Sequence, residues 1–217
     1  MVVLILFGAP GSGKGTQANK IIQYFPNSIY ISTGDILREN IKNNTELGKI
    51  ANNYISQGLL VPDEIINSMI EDKIISLKKD NKIDFLILDG YPRSLNQLEF
   101  LLNLLPSNII KTIYLKINLD DLIKRISYRR ICYKCNKIYH LIYNKPQNNE
   151  LCDNCNEKLI QREDDKEEIV KKRYNVYTEK TLPIISKIKE KSISLIEINA
   201  NDNIDSIFNI ILNYIKS

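Results

Sequence analysis

The chain has 217 residues, 43% hydrophobic and 26% charged, which is enough apolar content for one buried core with small insertions. Thirty basic residues against 26 acidic leave a formal charge of +4, too mild to argue for a nucleic-acid partner from charge alone. No window approaches the roughly 20 apolar residues that span a bilayer, and no basic segment precedes the apolar residues 2–7 as a secretory signal requires. With all four cysteines confined to residues 132–155, the expectation is reduced thiols in the cytoplasm.

The first predicted element is a buried strand, Val2–Phe7. It stops at "GAPGSGKG", where four glycines fall within eight residues around one lysine. Gly8, Gly13 and Lys14 fit the G-x-x-x-x-G-K phosphate-loop pattern, and the helical "TQANKIIQYF" that follows completes the strand–loop–helix context. The composition has a physical reason: backbone N–H groups must turn inward on phosphate oxygens, at angles and approaches that side chains obstruct. The following helix adds the positive end of its dipole, and Lys14 a mobile cation. A tight turn alone needs none of this combination. The strict pattern has Ser or Thr directly after the lysine; here that position is Gly15, with Thr16 next, which points to a nucleotide-kinase variant of the loop.

A second strand is predicted at Ile29–Ser32. Residues 33–63 then break the rhythm: they are polar, mostly helical in pattern, and end in "QGLLVPDE" with Gly58 and Pro62 as punctuation. A third strand at Phe85–Leu88 leads into "LDG". Alone, Asp-Gly there reads as a strand-end turn; beside a phosphate loop, Asp89 reads as the acid that holds magnesium through water. Leu95, Leu98, Leu101, Leu102 and Leu105 share one helical face, a fourth strand follows at Thr112–Ile117, a fifth at Ser194–Ile198, and Ile204, Ile207, Phe208, Ile211 and Ile215 share a last helical face. Strands that are apolar throughout and alternate with helices predict a parallel sheet covered on both sides.

Residues 128–163 form a second interruption, with every cysteine and the only histidine, His140. Cys132-x2-Cys135, sixteen further residues, then Cys152-x2-Cys155 is the spacing of a four-thiolate zinc site built from two knuckles. Two disulfides are the alternative, disfavoured in a reducing setting, and iron or another thiophilic ion would suit the same ligands. Four thiolates leave no open position on the metal, so the ion is expected to staple an insertion too small for a core of its own.

The motifs "GAPGSGKGTQ", "ISTGDILRE", "GLLVPDE", "LDGYPRSLNQ", "RRICYKC" and "LIQREDDKEEIVKKRY", in this order, resemble adenylate kinase in its long form. The resemblance runs from residue 2 to about 183. It implies an α/β phosphate-loop nucleoside-monophosphate kinase: a five-stranded parallel core (1–32, 64–127 and 164–217), an AMP-binding helical insertion (33–63) and a zinc-bearing lid (128–163). It also implies a monomer that transfers phosphate reversibly from Mg-ATP to AMP, giving two ADP. Position by position, Gly11, Ser12, Gly13, Lys14, Gly15 and Thr16 match the ATP phosphate cradle, and Arg125 the residue against the ATP adenine. Thr33, Val61, Gly90 and Gln97 match the surroundings of the AMP base, with Arg38 and Arg93 gripping its phosphate. Arg129, Arg162 and Arg173 match the arginines that converge on the transferring group. Asp164 and Asp165 match paired acids of the closing segment, expected to bond Arg129 and Arg162 once closed, although beside "KEEIVKKRY" they also read as helix-start acids.

Phosphoryl transfer explains so many arginines without an evident base. It requires alignment and positive charge more than covalent chemistry, and guanidinium forks stay charged while bonding two oxygens. A lone His140 argues against histidine-based phosphotransfer and is expected to be structural or to lie beside the adenine. Arg130 has no motif to lift it above a surface charge. Two rivals remain. A UMP/CMP kinase keeps the fold, but Thr33, Gln97 and the cysteine-bearing insertion favour AMP. A zinc-ribbon nucleic-acid-binding switch would use Lys134, Lys137, Tyr139 and Tyr143, yet the ribbon sits between Arg129 and Arg162, inside the kinase-like motifs.

Overall fold

Strand β1 (Val2–Gly8) has five consecutive buried residues, Val3 to Phe7. Alternate residues feed opposite faces of the sheet: Val3 and Ile5 pack with Leu86 and Leu88 on one side, Leu4 and Leu6 with Ile87 on the other. Both faces are covered, which is why the strand is apolar throughout. Each such side chain contributes roughly 1.5–3 kcal/mol by leaving water. The computed structural model describes residues 1–77, 83–106, 108–148 and 150–217.

The main sheet is parallel, with β1 at its centre between β3 (Phe85–Asp89) and β4 (Ile109–Lys116), and with β2 (Ile29–Ser32) and β8 (Ser194–Asn199) at the edges. Every predicted strand is present. β4 starts three residues earlier than predicted, at Ile109, because Ile109 to Lys111 pair with Val2 to Leu4 despite the polar lysine. One side is covered by α1 (Lys14–Tyr24) and α9 (Ile204–Lys216), whose Ile207, Ile211 and Ile215 point inward. The other is covered by α4 (Asp63–Leu77) and α5 (Leu95–Leu104). Leu98, Leu101 and Leu105 are buried as the leucine pattern predicts, but Leu95, the first residue of α5, is 44% exposed.

Residues 33–63 fold as α2 (Thr33–Lys42) and α3 (Glu46–Ile55), followed by an extended approach to α4. Ser32 and Thr45 cap these helices by accepting from the amides of Asp35 and Gly48. After α6 (Leu119–Ser127), the cysteine-bearing insertion forms a separate antiparallel sheet with β5 (Arg129–Cys132) between β6 (Ile138–His140) and β7 (Leu159–Ile160). A 3₁₀ turn at Glu163–Asp165 leads back into α7 (Glu167–Val176), a π turn (Tyr177–Thr181) and α8 (Pro183–Glu190). In an open parallel sheet the crevice lies at the carboxyl ends of the strands where the order reverses, here around β1. Both insertions stand over that crevice.

Candidate active site

The phosphate-loop pattern leaves the carboxyl end of β1, at the crevice. At Gly8, with φ +147°, a Cβ would lie 2.5 Å from the Leu115 carbonyl oxygen. At Gly13 the left-handed φ of +99° turns the chain into α1, and a Cβ there would meet nothing within 4 Å. The side chains of Ser32, Thr45, Ser94, Asn118 and Asn203 cap α2, α3, α5, α6 and α9, whereas no side chain caps α1. Its first residues, Lys14 to Gln17, line the cleft, so its N-terminal amides and dipole are directed there. The Ser12 hydroxyl is buried there without a hydrogen-bond partner. Lys14 donates to the Gly8 and Ala9 carbonyls at 3.0 Å each and lies 4.0 Å from an Asp89 carboxylate oxygen.

Six cationic side chains, Lys14, Arg38, Arg93, Arg129, Arg162 and Arg173, converge on this cleft. Four carboxylates face them. Asp165 pairs with Arg129, Asp164 with Arg173 at 2.7 Å, Asp35 with both Arg38 and Arg162, and Asp89 lies beside Lys14. The pairing differs from expectation at Arg162: its nearest carboxylate is Asp35 of α2, at 3.9 Å, rather than Asp164 or Asp165. The remaining positive charge is crowded and poorly hydrated. Burial, with Arg93, Arg173 and Arg129 nearby, lowers the Lys14 pKa to about 8 against the pull of Asp89. Burial and neighbouring guanidiniums likewise lower Arg93 to about 10 and Arg162 to about 9. At Asp164 burial opposes ionisation, but Arg173, Arg38, Arg129 and Arg162 together outweigh it and hold the carboxyl below its usual range. Such a cluster is built for a polyanion. The Arg162 Nε, buried without a partner, fits the same chemistry.

The cleft has two ends. A small pocket of about 90 Å³ lies beside α2, lined by Thr33, Val61, Gly90 and Gln97 with Arg38 and Arg93. A wider cleft of about 1070 Å³ runs from the phosphate loop to Arg125, His140 and the segment 200–205. Arg125 donates to the Ala200 carbonyl. The His140 ring lies 4.7 Å from that of Tyr143, and its Nδ1 accepts from the amides of Ile142 and Tyr143, so the proton sits on Nε2. Burial and Arg125 hold its pKa down. Arg130 turns away and donates to the Ser127 carbonyl at 3.0 Å.

The four cysteine sulfurs lie within 4.8 Å of one another. Their closest approaches, 3.3 Å for Cys132 to Cys155 and 3.5 Å for Cys135 to Cys152, are near the about 3.8 Å edge of a tetrahedron with 2.3 Å metal–sulfur bonds. The two knuckles repeat one fold. In each, the asparagine after the second cysteine is left-handed (Asn136 φ 60°, Asn156 φ 58°) and donates to the carbonyl of the first. The Tyr139 hydroxyl and the Asn154 amide donate to Cys152 Sγ, as outer partners of a ligating thiolate would. All four cysteines are free thiols. The residues fit a four-thiolate metal.

Three residues without a predicted role stand close to the chemistry. Tyr30 donates to Asp89 at 2.9 Å, holding the carboxylate from β2. Asp35 lies inside the quoted "ISTGDILRE", where only Thr33 and Arg38 have predicted roles. Asp63, in "GLLVPDE", accepts from the Gln97 carboxamide at 2.7 Å. The segment 200–205 lies in the tail, where the motifs run out.

The family model described as "Adenylate kinase" matches residues 6–193. Proteins named adenylate kinase are similar over nearly the whole chain. That of Petrotoga mobilis is 42% identical over 217 residues, covering 99% of this chain and 97% of the relative. That of Acetivibrio thermocellus is 46% identical over 213 residues, covering 97% and 96%. That of Caldicellulosiruptor bescii is 49% identical over 197 residues, covering 89% of each. Among the described residues no helix is long and apolar enough to cross a membrane.

Proposed function

From the premise that this chain belongs to the adenylate kinase family, we propose that its cleft carries the reversible transfer of phosphate from Mg-ATP to AMP, giving two ADP. The observation that carries this reading is the convergence of Lys14 and five arginines between a phosphate loop and a second recess beside Thr33 and Gln97. A nucleotide hydrolase needs the first feature and has no use for the second.

In this reading Gly11 to Thr16 cradle the donor phosphates with their amides, Lys14 follows the outer ones, and Arg125 lies against the donor base near His140. Thr33, Val61, Gly90 and Gln97 surround the acceptor base, and Arg38 and Arg93 hold its phosphate. Arg129, Arg162 and Arg173 gather on the moving group, with Asp164 and Asp165 orienting Arg173 and Arg129. The acceptor phosphate is already anionic, so no base is required, and alignment and charge carry the rate. Asp89 is placed to hold magnesium through water, supported by its position at the end of β3 beside the loop. Magnesium held there would offset the charge of the phosphate oxygens. Zinc is the metal that best suits Cys132, Cys135, Cys152 and Cys155; with no open position its role is structural.

We assign residues 33–63 to the acceptor site, 128–163 to the lid, and 1–32, 64–127 and 164–217 to the core. The two insertions exclude water when they close, so that ATP is transferred rather than hydrolysed. A monomer in a reducing cytoplasm completes the reading. The test is ADP formation from Mg-ATP with AMP, GMP, CMP and UMP as acceptors. Fast turnover with AMP alone is expected. Turnover chiefly with CMP or UMP would overturn the acceptor assignment, and no transfer from folded, zinc-loaded protein would overturn the activity.

A further inference from the structure

Gln97 is 2% exposed yet lines the acceptor pocket, so every hydrogen-bonding position of its carboxamide matters. Two are taken internally. Its Oε1 accepts from the Arg93 amide at 2.7 Å, and its Nε2 donates to Asp63 Oδ1 at 2.7 Å. Asp63 is itself held from the other side, where the Ser94 hydroxyl donates to Oδ2 at 2.7 Å; the same hydroxyl accepts from the Gln97 amide. The way round of the carboxamide is therefore set by chemistry: a backbone N–H can only donate and a carboxylate can only accept. One N–H and one oxygen lone pair are left over.

That remaining pair has a sense. Adenine offers an acceptor at N1 and a donor at its 6-amino group, and a carboxamide held one way bonds both. A 6-oxopurine offers a donor at N1 and an acceptor at O6, and the same carboxamide bonds both only after turning over. A glutamine free to turn would serve either base equally. We propose that Asp63 is a specificity-positioning residue, which by holding the Gln97 carboxamide one way round makes the acceptor site read a 6-aminopurine and reject a 6-oxopurine. Turning the amide over would set Oε1 against a carboxylate oxygen and leave buried polar groups unpaired, so discrimination rests on the internal network and not on the shape of the pocket. Asp63 does not line the pocket.

This inference rests on Gln97 reading the acceptor base, and its test separates the two. The readout is the ratio of kcat/KM for AMP to that for IMP, which lacks the 2-amino group and isolates the N1 and C6 positions. Asp63→Asn keeps the volume but presents a group that both accepts and donates, and it is expected to lower the AMP:IMP ratio about tenfold or more, the effect of one buried hydrogen bond made or unmade. The KM for ATP should stay within twofold. A merely structural Asp63 would lower turnover with both acceptors in proportion, and an unchanged ratio overturns the proposal. Gln97→Leu is measured alongside. If it leaves the ratio intact, the base-reading assignment itself fails; if it collapses the ratio while Asp63→Asn does not, only the positioning role of Asp63 fails. Should Asp63→Asn not fold, Ser94→Ala loosens the same carboxylate and is read on the same ratio, with a fall supporting the proposal and constancy overturning it.

Discussion

Lys14 shows how a single residue couples burial, charge and ligand. In the folded chain its pKa is brought down to about 8 from 10.5, chiefly by burial. The folded state therefore disfavours the ammonium, a cost to stability that is full below about pH 8 and is relieved as pH rises from about 8 towards 10.5. Triphosphate reverses the preference, because the ammonium is the form that anions stabilise. Binding of ATP should then take up a proton between about pH 8 and pH 10, and affinity should fall as pH rises, by up to about tenfold per unit. Calorimetry from pH 7 to pH 9.5 in buffers of different ionisation enthalpy measures both effects. Lys14→Met should bind ATP weakly with little pH dependence, and a wild-type affinity that is flat over this range would contradict the assignment. Lys14 and the cysteines were legible in the sequence because their chemistry lies in local spacing. Asp35, Asp63 and Tyr30 were not, because each acts on a partner from another element: Arg162, Gln97 and Asp89 in turn. Read along the chain, Asp35 and Asp63 look like first-turn helix acids and Tyr30 like a strand residue, and each is that as well.

Among the elements, the three-stranded sheet of the cysteine-bearing insertion depends most on something other than its own packing. Its buried cluster is Cys132, Tyr139, Cys152 and Leu159, so two of its four members are cysteines of the proposed metal site. Strands of two to four residues carry no readable periodicity, and the sequence accordingly predicts a compact insertion there without strands. Two knuckles tied to one ion give these short strands a fixed register that apolar burial cannot supply at this size. Stripping the metal with a chelator should therefore melt the insertion locally. Hydrogen exchange should accelerate across residues 129–160 while β1 and β3 stay protected, and the melting temperature should fall by several degrees, since about 1 kcal/mol corresponds to roughly 2–4 °C in a chain of this length. An unchanged melting temperature and exchange pattern would remove the structural role of the metal. The core strands were legible for the opposite reason, being long, apolar and β-branched. Their order in the sheet was not, because it is fixed by pairings between distant segments such as Val2 with both Phe85 and Ile109.

Across the whole molecule, the two insertions meet over the cleft. Lys42, the last residue of α2, donates to the Tyr133 carbonyl at 3.1 Å, and its ammonium lies 4.3 Å from the centre of the Tyr133 ring. Tyr133 is the first residue inside the Cys132–Cys135 knuckle, so the contact joins the cysteine cluster directly to the end of α2. Arg162 and Asp35 make a second link at the base of the same closure. The Lys42 contact is exposed to water, so an exposed cation–π pair and one net hydrogen bond together amount to about 1 kcal/mol, roughly a fivefold shift in a two-state equilibrium. Lys42→Met should accordingly raise the KM for AMP and for ATP severalfold together, since Lys42 lines neither pocket and both substrates would draw on the same closed population. It should leave kcat unchanged or raise it, because reopening precedes product release. Steady-state kinetics joined to a fluorescence distance between labels at the exposed residues 53 and 157, one in each insertion and with residue 42 left unlabelled, reads both effects. A rise in one KM alone would place Lys42 at a substrate and not at the closure, and constancy of both would mean that the contact contributes nothing measurable to closing.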